Sequence, residues 1–130
     1  MAIDLAMPIL VVEDSKTMGQ IIRNLLMLIG FRKIENISDG TTALATLRER
    51  KFGLVISDWN MQPMTGLMLL KEVRADPMLE GLVFIMVTAE STVANVVAAR
   101  DAGASSYIVK PFTGEMLKSK IGEAFGSGMF

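Results

Sequence analysis

The sequence predicts an α/β domain in which a parallel sheet lies between two layers of helices. Three observations predict it. Four short apolar runs recur along the chain, Ile9-Leu10-Val11-Val12, Leu54-Val55-Ile56, Val83-Phe84-Ile85-Met86-Val87 and Tyr107-Ile108-Val109, with helical apolar spacing between them. The first three runs carry almost no polar residue, as strands covered on both faces do. Each run leads to a polar residue: Glu13-Asp14, Asp58, Thr88 and Lys110.

In chain order, the first strand is about Ile9–Val12. A helix of about Lys16–Ile29 follows, with Met18, Ile21, Ile22, Leu25, Leu26 and Ile29 at helical spacing and Gly30 as its stop. A shorter, more polar strand near Lys33–Ile37 belongs at a sheet edge and leads into the turn signal Ser38-Asp39-Gly40. The second helix runs to about Arg50, and the third strand ends at Asp58. Pro63 and Gly66 mark a loop before a helix that ends near Asp76-Pro77. The fourth strand is Leu82–Val87, and the fourth helix, about Thr92–Ala102, is stopped by Gly103. Ser106–Val109 is the fifth strand. Lys110-Pro111 breaks the chain, Thr113 caps a last helix to about Phe125, and Gly126-Ser127-Gly128 frays. Five β-α units make a three-layer sandwich. Repeats, low-complexity segments and linkers are lacking, so residues 1–130 read as one domain.

Composition narrows the chemistry. At this length a chain buries roughly two-thirds of its unfolded surface and needs no staples. No cysteine means no disulfide and no thiol catalysis, and no histidine removes imidazole bases, histidine metal sites and Ser-His-Asp triads. With 13 basic and 14 acidic residues, bulk charge attracts no nucleic acid. Mean hydropathy is high at +0.42, yet no stretch reaches the roughly 18 apolar residues of a membrane span. The start lacks the basic region of a signal peptide, and the expected location is cytoplasmic.

Parallel neighbouring strands bring their carboxyl ends to one edge, where ligands of open α/β sheets bind. Glu13, Asp14, Asp58, Thr88 and Lys110 then converge. Carboxylates about 4 Å apart repel by about 4 kcal/mol per pair at an effective dielectric near 20, so they protonate or hold a cation. Oxygen donors without His or Cys favour Mg²⁺ over Zn²⁺. Asp14 would bind it directly, Glu13 directly or through water, and the Asn60 backbone carbonyl could add an oxygen. Asp58 stands alone at the end of a central strand and is the candidate nucleophile for an acyl phosphate. Lys110 and the Thr88 hydroxyl would balance the phosphoryl oxygens.

The segments Glu13-Asp14-Ser15, Val55-Ile56-Ser57-Asp58-Trp59-Asn60-Met61, Val87-Thr88-Ala89-Glu90 and Tyr107-Ile108-Val109-Lys110-Pro111-Phe112 resemble the receiver domain of two-component response regulators, from about Pro8 to Ile121. The match is best to the single-domain chemotaxis regulators. The resemblance implies a flavodoxin-like sheet of order 2-1-3-4-5, a single receiver domain with no output domain, and a cis peptide at Lys110-Pro111. It implies that Asp58 accepts a phosphoryl group from a histidine kinase in a Mg²⁺-dependent reaction. Phosphotransfer and autodephosphorylation are then self-catalysed, with no substrate turned over. Thr88 and Tyr107 become switch residues, and Asn60 and Glu90 set the hydrolysis rate. The face of the fourth helix, fifth strand and fifth helix binds a protein target, such as the flagellar motor switch. A phosphatase partner and a monomeric state are also implied.

This chain departs from the family at three places. Glu13 replaces an aspartate and is longer by one methylene. The loop Met61-Gln62-Pro63-Met64-Thr65-Gly66 displaces the usual proline by one residue and offers Thr65 in place of an aspartate as helix cap. The fourth helix is basic at its start in enteric chemotaxis members, but here it begins Ser91-Thr92-Val93-Ala94.

Singly, each residue has an ordinary reading. A lone Asp58 caps a turn, Thr88 ends a strand, Lys110 and Lys16 are solvated lysines, and Tyr107 is half-buried packing. Trp59 is a partly exposed aromatic beside the site. The eleven methionines fill the core, with Met61 and Met64 placed for an adaptable contact. Val93-Ala94-Asn95-Val96-Val97-Ala98-Ala99 is apolar nearly all round, which points to a partner surface at Val93, Val96 and Val97, joined by Tyr107 and Phe112. Other functions fit less well. The same chemistry could serve as a phosphate sink or regulate a different partner. An aspartate-nucleophile phosphatase needs a second acid-base carboxyl where Asn60 stands. An FMN binder needs a phosphate loop where Glu13-Asp14 would repel phosphate.

Overall fold

A computed structural model describes residues 3–126. The expected tail at Ser127-Gly128 lies outside the described residues. The elements are β1 (Pro8–Val12), α1 (Lys16–Ile29), β2 (Lys33–Ile37), α2 (Gly40–Glu49), β3 (Leu54–Asp58), α3 (Gly66–Ala75), β4 (Val83–Thr88), α4 (Val93–Asp101), β5 (Ser106–Val109) and α5 (Gly114–Ala124). They differ from the sequence reading by a residue or so at their ends, where caps replace helical residues. Thr88 proves to be the last residue of β4 and not the first beyond it.

All strand pairs are parallel, in the order β2-β1-β3-β4-β5. β2 is an edge strand, as its polarity indicated, and β3 is buried along its whole length. Alternation along the strands divides the core in two. Ile9, Val11, Leu54, Ile56, Ile85, Val87 and Ile108 face Ile22 and Leu26 of α1 and Leu117 and Ile121 of α5. Leu10, Val12, Val55, Phe84 and Met86 face Ala43, Leu44 and Leu47 of α2 and Leu69, Leu70 and Val73 of α3. The result is a flavodoxin-like three-layer sandwich.

Each helix starts the same way. Ser15, Asp39, Thr65, Thr92 and Thr113 occupy the N-caps, and each side chain accepts from the amide three residues on. Thr65 therefore takes the capping role expected of it. Gly30 follows α1 at φ 126° and Gly103 follows α4 at φ 98°, conformations that side chains beyond glycine rarely adopt. No described helix is long and apolar enough to cross a membrane.

Candidate functional site

The site is built where the parallel ladders run out. Backbone bonds extend one residue past the strands: Glu13 N donates to Ile37 O at 3.0 Å, Trp59 N to Val87 O at 2.8 Å, and Lys110 N to Thr88 O at 2.8 Å. These bonds fix the direction in which each following side chain leaves the sheet. Glu13, Asp14 and Asp58 each place a carboxylate oxygen within 4.8 Å of the others. At that spacing each like-charge pair costs at least about 3.5 kcal/mol at an effective dielectric near 20.

Lys110 offsets part of this repulsion. Its Nζ donates to Glu13 Oε1 at 2.9 Å and lies 3.0 Å from Asp58 Oδ1. Glu13 Oε2 also accepts from the Ser15 amide at 3.3 Å. Glu13 and Asp58 are buried, whereas Asp14 is exposed. Burial is the largest influence on Glu13 and raises its pKa above the usual 4.5. The Lys110 bond opposes that rise and the Asp58 charge reinforces it. For Lys110 burial works downward, but the bonds to Glu13 and Asp58 and their charges together outweigh it, so the ammonium pKa is raised. A cleft of about 430 Å³ opens onto Glu13 and Asp14 along α1, with Lys16, Arg23 and Asn36 in its wall. Three hard oxygen donors within reach of one another, two of them lining an open cleft, suit a divalent cation that keeps some of its waters.

Thr88 is buried beside Asp58 on the neighbouring strand, and its Oγ1 accepts from the Glu90 amide at 3.1 Å. The half-buried Tyr107 donates from its hydroxyl to the Glu90 carbonyl at 2.8 Å, and burial raises its pKa. Glu90 thus links the two expected switch residues. Its own carboxylate accepts from Asn95 Nδ2 at 3.2 Å. Asn60 is exposed after β3, and Trp59 is half-buried against the α2/α3 side of the core. Both expected features of the Lys110 loop are present: the Lys110-Pro111 peptide is cis and Lys110 points to the carboxylates. Gln62-Pro63 is cis as well, which the sequence reading did not foresee.

Several placements refine the sequence reading. Met61 is buried and does not offer the adaptable contact considered for it, whereas Met64 is half-buried, packed against Gly40 and the α2/α3 side of the core. α4 buries only Ala99; Val93 is 79% exposed and Val96 38%, while Val97, Tyr107 and Phe112 are half-buried. Phe112 packs on the α1/α5 side of the core. Two site residues escaped notice. A Cβ on Gly66 would lie 2.1 Å from the Asp58 carbonyl oxygen, so only glycine lets α3 start this close to Asp58. Asn95 looked like one more small residue of α4. Its place three residues after a capping Thr92 was the available signal.

The response regulator receiver domain family matches residues 9–122. The chain is 47% identical over 119 residues to the chemotaxis protein CheY of Pseudomonas aeruginosa, covering 92% of this chain and 96% of that protein. It is 44% identical to the chemotaxis protein CheY-3 of Vibrio cholerae, with 92% of each chain covered. The crystal structure of Vibrio cholerae CheY4 superposes with a TM-score of 0.84 at 30% identity, over 92% of this chain and 98% of that one. Matching sequence over nearly the whole chain and a matching strand order agree with the carboxylate edge just described: the chain belongs to the response regulator receiver domain family.

Proposed function

We propose that this protein is a phosphoacceptor of a chemotaxis two-component system, switched by phosphorylation of Asp58. The observation that carries the reading is the convergence of Asp58, Glu13, Asp14 and Lys110 at one sheet edge, with Lys110 within 3.0 Å of Asp58. The donor, as the family implies, is a phosphohistidine on a partner histidine kinase; this chain contains no histidine and cannot itself be that donor. An Asp58 carboxylate oxygen bonds to phosphorus, the nitrogen–phosphorus bond of the donor breaks, and its electron pair stays on the imidazole. A bound Mg²⁺ supplies charge neutralisation between carboxylates and phosphoryl oxygens. Asp14 and Asp58 would hold that ion, with the Asn60 carbonyl, and Glu13 would reach it directly or through water.

Lys110 shields Asp58 from Glu13 before transfer and stabilises the phosphoryl oxygens after it. The Thr88 hydroxyl turns to the phosphoryl group and gives up the Glu90 amide. Tyr107, bonded to the Glu90 carbonyl, responds to that change. The face of α4, β5 and α5, with Val93 and Val96 at its most exposed part, then binds a protein target such as the flagellar switch. A phosphatase partner can end the signal, and the protein acts as a monomeric cytoplasmic messenger that turns over no substrate.

The test is Mg²⁺-dependent modification by beryllofluoride or acetyl phosphate, read by Trp59 fluorescence in wild type and Asp58→Asn. The expected result is a change that needs Mg²⁺ and is lost in Asp58→Asn. A wild-type protein that does not respond would defeat the proposal and make this chain a phosphorylation-independent binding module.

A further inference from the structure

We propose that Asn95 is a positioning residue for dephosphorylation: its side-chain amide holds the Glu90 carboxylate, and this contact ties the first turn of α4 to loss of the phosphoryl group from Asp58. The inference rests on the receiver reading above and extends it to a helix that supplies no group to the phosphoryl site.

Local geometry places Asn95 for this task. Thr92 is the N-cap of α4 and accepts from the Asn95 amide at 3.2 Å, so Asn95 is the third residue of the helix. Side chains at that position turn back toward the N-terminus, and in a capping box they reach the amide of the cap residue. The Asn95 amide goes past the cap and donates to Glu90 Oε2 at 3.2 Å. Glu90 is then held at three points. Its amide is on Thr88 Oγ1, its carbonyl is on the Tyr107 hydroxyl, and its carboxylate is on Asn95. Only the third point belongs to a helix with an exposed apolar face.

Hydrolysis of the acyl phosphate requires a water oxygen to bond to phosphorus. The bond from the Asp58 oxygen to phosphorus breaks with its electron pair kept by the carboxylate, one proton passes to solvent, and inorganic phosphate leaves. The resemblance implies that Glu90 sets the hydrolysis rate, and on that reading its carboxylate is the hydrogen-bond acceptor offered to the incoming water. Held at Oε2 by the Asn95 amide, the carboxylate is less free to turn toward that water. Asn95 therefore restrains Glu90 and lengthens the life of the phosphoryl group. Val93 and Val96 lie in the same helical turn and are 79% and 38% exposed. A target that covers them also fixes or displaces Asn95, so target occupancy and signal lifetime are coupled through one hydrogen bond.

The experiment loads the protein with acetyl phosphate and Mg²⁺, removes the donor, and follows decay by Trp59 fluorescence. The proteins are wild type, Asn95→Ala, Asn95→Gln, Glu90→Ala and the Asn95→Ala/Glu90→Ala double variant. Asn95→Ala keeps the backbone amide that Thr92 caps and substitutes a good helix former. Decay in Asn95→Ala is expected to quicken about threefold, equivalent to about 0.7 kcal/mol. Asn95→Gln should recover part of the wild-type lifetime, and the double variant should decay as Glu90→Ala does. Unchanged decay in Asn95→Ala, or the same acceleration without the Glu90 carboxylate, overturns the role of Asn95 while leaving the receiver chemistry standing. Failure of every variant and of wild type to take up phosphoryl overturns both.

Discussion

Lys110 is the residue on which the sheet edge balances. It touches Glu13 at 2.9 Å and Asp58 at 3.0 Å, and it keeps two buried carboxylates apart electrically. The sequence placed Lys110 opposite a phosphoryl group. It did not reveal that the lysine first serves Glu13, because that contact joins residues from the two ends of the chain. Removing the ammonium in Lys110→Met leaves acceptors without a partner, and unfolding free energy at pH 7 should fall by about 1–3 kcal/mol in urea titrations. The deficit should shrink on acidification. In the variant Glu13 loses the Lys110 bond and charge that oppose the rise of its folded pKa above the usual 4.5, so as pH falls through the raised values the variant gains more stability than wild type. A deficit independent of pH would show that the ammonium matters for packing and not for charge.

At the scale of elements, the regular device is the side-chain cap. All five described helices begin with one; Thr65 and Thr113 were read as caps from the sequence, whereas Asp39 was read as part of a turn, Thr92 as the first helical residue, and Ser15 was given no cap role. Asp39 is the ionisable one. The Thr42 amide, at 2.7 Å, and the Thr42 hydroxyl, at 2.8 Å, hold its carboxyl below the usual 3.8. Its folded pKa is depressed, so its contribution is full above about pH 3.8 and is lost as pH falls through the lower folded value. Asp39→Ala should cost about 1 kcal/mol at neutral pH, with the gap closing in acid denaturation below that range. A connection of another kind was not readable. Arg74 of α3 donates to the carbonyls of Glu80, Leu82 and Gly103 and to Ser105 Oγ, tying α3 to the start of β4 and to the loop before β5. Burial lowers its pKa, and neutral acceptors meet its charge. Nothing local marks such an arginine, because its partners lie six to thirty-one residues away in sequence.

For the whole molecule, stability resides in two cores separated by the sheet, and function resides at its rim. Phe84 is fully buried on the α2/α3 side, remote in role from the phosphoryl site. Phe84→Ala should lower unfolding free energy by about 3–5 kcal/mol, measured by the urea midpoint at unchanged slope. The sequence by itself determined the five β-α units, the edge position of β2, the caps at Thr65 and Thr113 and the polar residues that end the strands. Those follow from short-range patterns: a short apolar run for a strand, a period of 3.6 for a helix and a capping side chain beside it. Tertiary structure decided which polar groups meet. It set Lys110 on Glu13, made Gly66 obligatory beside Asp58, buried Met61, and turned Asn95 toward Glu90. These are distances between side chains on different elements. They depend on strand register and helix placement, which no local pattern encodes.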